Sequence, residues 1–395
     1  MRICFVTNLG WPAGGAETSI MLLRSALVER GHEVLVVATD AGAAGRSDVF
    51  ADILIPHIEG GPVRRLGQYL FFGAGYTALK RAFTSFRPDI VHFHTVGELS
   101  PAAIFAAWGT PFVMTVHGPE DFTLALHPWH LPATDYRRRS YRRSDLRPIG
   151  YLRLLYLRLM QRPVYRLALR RCKAFVAPSS FIARVLGSDV RSDRIVQLDN
   201  GVVLGEPTPV PGGERFVYVG RLEAVKGVDV LLRAVARARV QRPEIRLALV
   251  GDGDERASLE ELSMRLGVSD SVTFRGRLDS AAVVSAISEA KALVIPSLWP
   301  ETFGLVIVEA MAAGRPVLGS RVGAIPDIVT DGVNGVITDP YDEGALADVL
   351  VRLAGEDALC RKMGEAARER AEGYSVEKFT DNIWSLYNRI VRIAA

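Results

Sequence analysis

Short apolar runs alternate with amphipathic helical patterns along the whole chain, and this alternation constrains the fold more than any other feature. Within each run the hydrophobicity is continuous, which is typical of strands that are buried on both faces of a sheet. The runs occupy residues 2–7, 33–39, 53–55, 89–94, 111–117 and 174–177, and then 215–219, 245–250, 272–274, 292–295 and 316–319. The pattern predicts an α/β protein with two doubly wound parallel sheets and helices packed outside them.

The length of the chain favours two domains. At 395 residues it exceeds what one hydrophobic core usually supports. Because a stretch rich in Pro and Gly separates the two halves, we predict doubly wound domains at 1–200 and 214–375, with a linker at 201–213. A last helix at 376–395 is expected to pack back on the first domain. Ligands of open α/β sheets bind beyond the carboxyl ends of the strands, so the domains are expected to face each other across a deep cleft.

The composition suits a globular protein of the cytoplasm. Hydrophobic residues make up 49% and charged residues 23%, which excludes a chain that is mainly disordered. The first apolar run is too short for a signal-peptide core, so export is not expected. The longest uncharged run, 99–116, contains two prolines and a glycine and is a poor candidate for a membrane span. Three cysteines lie far apart without metal-like spacing, which suits reduced thiols.

Two cations lie in the loop that follows the first strand of the second half. Arg221 and Lys226 belong to the segment GRLEAVKG at 220–227, where glycines at both ends permit a close approach of backbone or ligand. An Arg and a Lys in such a loop can clamp a diphosphate. The alternative is two solvated surface cations, but their position directly after a strand favours the clamp.

Two carboxylates follow the fourth strand of the second half. Glu301 lies on a loop, and Glu309 lies about 8 Å further along a helix that is expected to begin near Phe303. The first N–H groups of that helix favour a phosphate. The helix is apolar on all sides, so Glu309 needs a hydrogen-bonding partner: either sugar or ribose hydroxyls, or a structural partner such as Arg315 or Arg321.

These motifs resemble those of the retaining glycosyltransferases of family 4, which have the GT-B architecture of two Rossmann-like domains. The resemblance extends over almost the whole chain, because further motifs fit in the same order: GGAE at 14–17, TVHG at 115–118, VAPSS at 176–180 and VGDGD at 250–254. A single motif of this kind is weak, whereas the ordered set is specific. The resemblance implies that the N-terminal domain binds an acceptor and the C-terminal domain binds a nucleotide sugar.

The resemblance also implies a role for each residue at a motif position. Arg221 and Lys226 would bind the donor diphosphate and stabilise the charge that grows on it as the glycosidic bond breaks. Glu301 would contact hydroxyls of the transferred sugar, Glu309 would hold the ribose, and His117 would face the sugar near its anomeric carbon. The other expected donor-binding positions are Gly14, Gly15, Arg277 with its neighbours Arg275 and Gly276 beside the base, and Phe303, Gly304 and Leu305.

No metal and no cofactor are expected. Asp252 and Asp254 superficially match the Asp-x-Asp metal motif of other glycosyltransferases, but they open a helix, so helix capping is the favoured interpretation. His92 and His94 share one face of a strand and could form a metal pair. No carboxylate or thiol cluster accompanies them, which favours packing or cleft lining. The resemblance implies metal-independent chemistry in which the two cations of the diphosphate clamp supply the positive charge.

The basic character of the chain is concentrated in one segment. The net charge is +4, and residues 136–173 carry twelve arginines and one lysine against a single acid, Asp145. From Arg153 the pattern is amphipathic, with Pro163 expected to start or kink a helix. Binding to an anionic membrane and packing on the chain's own domain both remain open. Nucleic acid is not expected, because no binding fold is recognisable. Acceptor selectivity is expected in the irregular residues 118–147, within a basic insertion at about 118–173.

The leading hypothesis is a retaining glycosyltransferase that moves a hexose-like sugar from a UDP- or GDP-linked donor to an acceptor hydroxyl. The acceptor could be a glycan, a lipid-linked molecule or a natural product. One alternative is a nucleotide-sugar epimerase or hydrolase of the same fold, which would turn over the donor without any acceptor. The other is a non-catalytic nucleotide or polyanion binder, whose binding would depend on salt and not on Glu301.

Overall fold

The chain forms two compact units. The computed structural model describes residues 1–118, 156–187 and 190–394. The first unit contains the described residues up to Gly201 together with those from Val376 onward, and the second contains Val202–Ser375. Among the described residues, the chain passes from the first unit to the second after Gly201 and returns to the first with its last helix.

The first unit is built on a parallel sheet of seven strands. The strands are β1 (Arg2–Leu9), β2 (Glu33–Thr39), β3 (Ile53–Ile55), β4 (Ile90–Phe93), β5 (Phe112–Thr115), β6 (Ala174–Ala177) and β7 (Ile195–Gln197). Their spatial order is β3-β2-β1-β4-β5-β6-β7, and every neighbouring pair is parallel. The direction of winding therefore reverses between β1 and β4.

Helices cover both faces of this sheet. They are α1 (Gly15–Glu29), α2 (Pro62–Leu70), α3 (Gly73–Phe86), α4 (Ser100–Ala106), α5 (Arg162–Ala168), α6 (Ser180–Leu186) and the C-terminal helix (Val376–Ala394). Residues of α3 and α4, such as Leu79 and Ile104, form one core with one set of strand side chains. The alternate strand side chains, such as Phe5, form a second core with α1 and with Ile383 and Tyr387 of the C-terminal helix. The C-terminal helix thus completes the first unit.

The second unit contains a parallel sheet of six strands. The strands are β8 (Arg215–Val219), β9 (Arg246–Val250), β10 (Val272–Gly276), β11 (Ala292–Ile295), β12 (Val317–Ser320) and β13 (Gly335–Thr338), in the order β10-β9-β8-β11-β12-β13. The helices are α7 (Val228–Gln241), α8 (Arg256–Arg265), α9 (Ser280–Ser288), α10 (Leu305–Ala312), α11 (Ile325–Ile328), α12 (Glu343–Gly355) and α13 (Asp357–Ala371). The prediction of two doubly wound parallel sheets is confirmed.

The apolar runs do not predict two of the observed strands, and both of these lie at the edge of a sheet. β7 is three residues long and only half-buried, while β13 alternates between buried and half-buried positions. An edge strand has one neighbour and less cover, so it needs no continuous apolar run. The eleven runs predicted as strands all overlap observed strands.

The segment predicted as a linker is fastened to the second unit by one buried guanidinium. Arg315 has no exposed surface. Its Nη1 donates to the carbonyl oxygen of Thr208 at 2.8 Å, and its Nη2 donates to the carbonyl oxygens of Pro209 at 3.1 Å and Ser288 at 2.6 Å. A buried charge of this kind is tolerated because carbonyl oxygens surround it.

Only the end of the basic segment lies within the described residues. A π-helical turn, Leu157–Gln161, leads into α5, and Pro163 lies in the first turn of α5 as predicted. Residues 119–155, which hold most of the expected acceptor region, lie outside the described residues. Within the described ranges no helix combines the length and the apolarity that a membrane crossing requires. The three cysteines are buried free thiols.

Candidate functional site

In the second unit the expected site residues gather where the sheet reverses its winding. β8 and β11 are neighbours, but the strands beyond them extend to opposite sides. The segments that leave two such strands diverge and open a crevice at their carboxyl ends, which is the usual ligand site of a doubly wound sheet. Residues 220–227 follow β8, and residues 296–304 follow β11.

The two segments contact each other closely, and a glycine makes this contact possible. Gly227 has φ of 68°, and a Cβ atom at this position would lie 2.1 Å from the carbonyl oxygen of Pro296. The backbone N–H of Leu298 also donates to the carbonyl oxygen of Val225 at 2.9 Å. Gly227, the last residue of the segment GRLEAVKG, therefore allows the loop at 220–227 to pack closely against the loop that carries Glu301.

Lys226 and Glu301 form an ion pair at this junction. Lys226 Nζ lies 2.7 Å from Glu301 Oε1, and Ser297 Oγ donates to the same oxygen at 2.5 Å. Burial by itself would raise the pKa of the Glu301 carboxyl. The charge of Lys226, its hydrogen bond, the Ser297 hydroxyl and Arg221 outweigh burial and bring this pKa below its ordinary value. Glu301 is therefore held as a carboxylate.

The backbone of Glu301 is held by a second glycine. At Gly323, which has φ of 58°, a Cβ atom would lie 2.3 Å from the carbonyl oxygen of Glu301. The N–H of Ala324 donates to this carbonyl oxygen at 2.8 Å. The segment after β12 thus fixes the loop on which Glu301 lies, and Gly323 is a contributor that sequence reasoning missed.

Arg221, the other expected cation, lies on the exposed side of the same loop. Its side chain is 69% exposed, and its Nη1 lies 2.6 Å from Glu223 Oε1. The hydroxyl of Tyr218 donates to the carbonyl oxygen of Arg221 at 2.7 Å, which holds the backbone in place. The guanidinium thus projects from a fixed backbone and keeps most of its surface available for an anionic ligand.

Glu309 has neither of the structural partners that the sequence suggested. Arg315 binds backbone carbonyls, and Arg321 pairs with Asp339 at 3.2 Å. Glu309 is half-buried in α10, and within the described parts of the chain its carboxylate has no hydrogen bond or ion pair. Burial raises the pKa of this carboxyl above its ordinary value. An uncompensated carboxylate inside an apolar helix is costly, which favours a ligand as its partner.

The remaining expected positions of the second unit lie at the same edge of the sheet. Helix α10 begins at Leu305 rather than near Phe303, because Gly304 adopts a left-handed conformation with φ of 91° and acts as the N-cap. Phe303 is buried against Tyr374. Arg277 is exposed directly after β10, two strands away from β8. The helix start presents backbone N–H groups near the ion pair, whereas Arg277 lies to one side of it.

The Asp-x-Asp motif does not cap a helix. Asp252 Oδ1 accepts a hydrogen bond from the N–H of Gly253 at 2.9 Å. Asp252 Oδ2 lies 3.7 Å from Arg256 Nη1. Helix α8 begins at Arg256, with Glu255 as an N-cap that makes no side-chain capping bond. Among the residues that the structure describes, no group of three or more His, Cys, Asp or Glu side chains could hold a metal ion.

In the first unit, Gly14 and Gly15 also lie where the winding reverses. Helix α1 begins at Gly15 with Gly14 as its N-cap, directly after the loop that leaves β1. Asn8, at the end of β1, accepts from the N–H of Glu98 at 3.0 Å through its side chain and donates its own N–H to Thr95 Oγ1 at 2.8 Å. These polar bonds tie the segments after β1 and β4 together. Sequence reasoning missed them, because the bonded residues are almost ninety positions apart.

His117 follows β5 and lies beside two other histidines. His94 Nδ1 is 3.0 Å from His117 Nε2, and the rings of His92 and His94 are stacked with centroids 4.1 Å apart. His92 Nδ1 is 2.5 Å from the hydroxyl of Tyr387, and its Nε2 is 2.7 Å from Thr115 Oγ1. His92 and His94 therefore pack against each other, and His94 packs against His117, which is the packing role expected for these two histidines.

Burial keeps these three imidazoles neutral. It lowers the pKa of His92 to about 3 and that of His117 to about 4. For His94, burial and the two neighbouring histidines bring the pKa well below its ordinary value. A neutral imidazole has one donor nitrogen and one acceptor nitrogen, so His117 is a hydrogen-bonding group here rather than a cation.

Two family models match consecutive parts of the chain. The model described as Glycosyltransferase Family 4 matches residues 13–206. The model described as Glycosyl transferases group 1 matches residues 206–370. Their boundary falls in the segment that connects the two units.

Similar proteins extend over most of the chain. A D-inositol 3-phosphate glycosyltransferase of Streptomyces avermitilis is 31% identical over 91% of this chain and 80% of its own length. A phosphatidyl-myo-inositol mannosyltransferase of Mycobacterium leprae is 28% identical over 95% of this chain and 93% of its own.

Solved structures of similar fold cover nearly the whole chain. Sucrose-phosphate synthase from Thermosynechococcus elongatus has a TM-score of 0.77 at 22% identity, with complete coverage of both chains. Anabaena HepE in complex with UDP-glucose has a TM-score of 0.75 at 20% identity over 98% of this chain and 100% of its own. These structures have the GT-B fold that the motifs led us to expect. The ordered motifs, the two doubly wound sheets and the full-length relatives together place this chain in glycosyltransferase family 4.

Proposed function

We propose that this glycosyltransferase moves a hexose-like sugar from a nucleoside diphosphate sugar to an acceptor hydroxyl, with retention of the anomeric configuration. The observation that carries the proposal is the arrangement of the β8 and β11 loops. Arg221 and Lys226 bring two cations to one crevice, and Glu301 beside them remains a carboxylate. Such a pair of cations suits a diphosphate, while a carboxylate suits sugar hydroxyls.

The chemistry follows from where charge develops. The bond between the anomeric carbon and the diphosphate oxygen breaks, and that oxygen gains negative charge. Arg221 and Lys226 would stabilise this charge, because cations fixed before the reaction need no reorganisation during it. The acceptor oxygen forms the new bond to the anomeric carbon, and its proton passes to the departing diphosphate, which carries the negative charge. In this scheme Arg221 and Lys226 supply the positive charge, so we propose that the reaction needs no metal ion.

Glu309 suits the nucleoside part of the donor. A ribose has two adjacent hydroxyls that can donate to one carboxylate, and these bonds would compensate the Glu309 charge, which has no partner within the described ranges. UDP-glucose is the first donor to test, because the similar HepE structure contains it. Inositol phosphates are the first acceptors to test, because two relatives are named for inositol compounds.

Calorimetric titration with a panel of UDP- and GDP-sugars tests the donor site. One donor should bind to the wild type, and Arg221→Ala should weaken it ten- to a hundredfold, since a hydrogen bond to a charged group contributes about 1.5–3 kcal/mol. Arg265→Ala is the matched control, because Arg265 is 65% exposed on α8 of the same unit. Unchanged binding in Arg221→Ala would reject the diphosphate clamp.

Turnover assays separate the competing activities. Sugar transfer should require an acceptor, keep the anomeric configuration in the NMR spectrum of the product, and continue in EDTA. Donor turnover without any acceptor would instead indicate an epimerase or hydrolase. Loss of activity in EDTA, restored by Mg²⁺ or Mn²⁺, would return Asp252 and Asp254 to consideration as metal ligands.

We also propose that the first unit associates with an anionic membrane surface. Leu159, Met160 and Leu167 are 68%, 51% and 45% exposed, and the exposed Arg166 and Arg170 lie on the same short helical segment. Apolar side chains next to arginines suit an interface that offers both acyl chains and negative headgroups.

Cosedimentation with vesicles tests this association. Phosphatidylglycerol vesicles should bind the protein and phosphatidylcholine vesicles should not, with binding that weakens as salt increases. Leu159→Gln with Met160→Gln should reduce binding, whereas Val240→Gln, at a position that is 83% exposed in the second unit, should not. Equal binding to both kinds of vesicle, or none to either, would reject the proposal.

A further inference from the structure

Ser297 is a buried serine whose backbone is fixed on both sides. It lies two residues after the end of β11 and is 1% exposed. The carbonyl oxygen of Pro296, which precedes it, packs closely against Gly227. The N–H of Leu298, which follows it, donates to the carbonyl oxygen of Val225 at 2.9 Å. Because both contacts are made by the loop that follows β8, the tertiary structure fixes the place of the Ser297 hydroxyl.

The hydroxyl of Ser297 and the ammonium of Lys226 donate to the same oxygen of Glu301. Ser297 Oγ lies 2.5 Å from Oε1, and Lys226 Nζ lies 2.7 Å from it. Both distances are typical of hydrogen bonds to a charged acceptor. A carboxylate oxygen has two lone-pair positions, so these two donors occupy Oε1. A further donor therefore has to approach the other oxygen, Oε2.

The direction of Oε2 is set before a ligand binds. Among the residues that the structure describes, Oε2 accepts no hydrogen bond, and the Glu301 side chain keeps 17% of its surface exposed. The backbone of Glu301 is held separately, because Ala324 donates to its carbonyl oxygen at 2.8 Å. Since the backbone and Oε1 are both held, little conformational freedom remains to be lost when a ligand binds to Oε2.

We propose that Ser297 is a positioning residue, which together with Lys226 holds Oε1 of Glu301 and leaves Oε2 as the oxygen that meets the ligand. Lys226 alone would fix the carboxylate poorly, because its ammonium lies on a flexible stem and, under the proposed function, also binds a diphosphate. The short side chain of Ser297 has no such second task. That the ligand is a nucleotide sugar rests on the proposed function, whereas the arrangement of the carboxylate does not.

Crystal structures of the full-length protein test the arrangement without any ligand. In the wild type both donors should bond to one oxygen of Glu301, whereas in Ser297→Ala the carboxylate should turn about its last side-chain bond and occupy more than one orientation. Ser271→Ala is the matched control, because Ser271 is a 2% exposed serine of the same unit whose hydroxyl donates to the carbonyl oxygen of Val268 at 2.7 Å. It should leave Glu301 unchanged. A wild-type structure in which Ser297 does not bond to Glu301 would overturn the proposal, whether or not any variant folds.

Calorimetric titration with UDP-glucose and its monodeoxy sugar analogues tests the contact with the ligand. In Glu301→Gln the amide oxygen can keep both donors, so the NH₂ group takes the place of Oε2 and only the acceptor is removed. The loss caused by each missing hydroxyl is compared between this variant and the wild type, which measures the coupling of that hydroxyl to Glu301. One hydroxyl should couple about tenfold and the others less than about threefold. Ser297→Ala should reduce the strong coupling, and Ser271→Ala should not.

The outcomes separate this proposal from the proposed function. Two hydroxyls that couple equally to Glu301 would indicate that both oxygens meet the sugar, and would overturn the proposal. An unchanged coupling in Ser297→Ala, or a single unchanged orientation of Glu301 in its crystal structure, would show that Ser297 does not position the carboxylate. If the crystal structures show the expected loss of order but neither UDP-glucose nor its analogues bind, the positioning role is supported and only the assignment of this donor is rejected.

Discussion

Acid should destabilise the first unit more than the second, because buried neutral histidines lie only in the first. In the unfolded chain a histidine has a pKa of about 6.5. Burial lowers this pKa to about 3 in His92 and to about 4 in His117. The unfolded state therefore binds more protons than the folded state between pH 6.5 and these values, so the stability present above pH 6.5 is lost as the pH falls.

The magnitude follows from the slope of this dependence. Each histidine contributes about 1.4 kcal/mol per pH unit, so lowering the pH from 6.5 to 5 removes about 2 kcal/mol for a fully buried group. His92 has no exposed surface, whereas His117 is only half-buried and is partly screened by solvent. His92 and His117 together should therefore lower the free energy of unfolding of the first unit by about 2–4 kcal/mol at pH 5. His94 changes this free energy in the same direction. Such a loss is a large part of the stability of an ordinary domain.

Hydrogen exchange measured by mass spectrometry at pH 7.5 and pH 5, corrected for intrinsic exchange rates, resolves the two units. In peptides that contain β4 and β5, the free energy of opening should be about 2–4 kcal/mol lower at pH 5 than at pH 7.5. Peptides that contain β8 and β11 are the internal control, because Val202–Ser375 contains no histidine. A change below about 1 kcal/mol in β4 and β5, or an equal change in both units, would refute the reasoning.

Two further predictions concern the second unit. Gly227→Ala should lower the free energy of unfolding by about 1–3 kcal/mol more than Gly267→Ala, because both glycines have φ of 68° but only Gly227 would place a Cβ atom 2.1 Å from Pro296. Equal losses in urea unfolding would contradict the close approach of the two loops. Glu309→Gln should preserve or raise the melting temperature, since it removes a half-buried carboxylate that has no partner among the described residues, and should weaken donor binding in calorimetry tenfold or more. A clear loss of stability would mean that Glu309 has a structural partner.

The sequence identified residues of the candidate site one by one, but it did not predict the contacts between them. Arg221, Lys226 and Glu301 were identified because each follows an apolar run and belongs to an ordered motif. That Lys226 and Glu301 form an ion pair was not predicted, since 75 residues separate them. Nor did any local pattern mark Ser297 or Gly323, whose contribution depends on the neighbouring loop.

The sequence by itself determined the α/β class, eleven of the strands and the division into two halves. These features follow from local hydrophobic patterns, because a strand buried on both faces needs a continuous apolar run wherever it lies. The tertiary structure alone decided the order of the strands, the edge strands β7 and β13, and the anchoring of the connecting segment by Arg315. It also decided that Glu309 has no partner in the described parts of the chain and that His94 contacts His117. Hydrogen bonds and ion pairs reach only a few ångströms, so they depend on which distant segments the packing brings together.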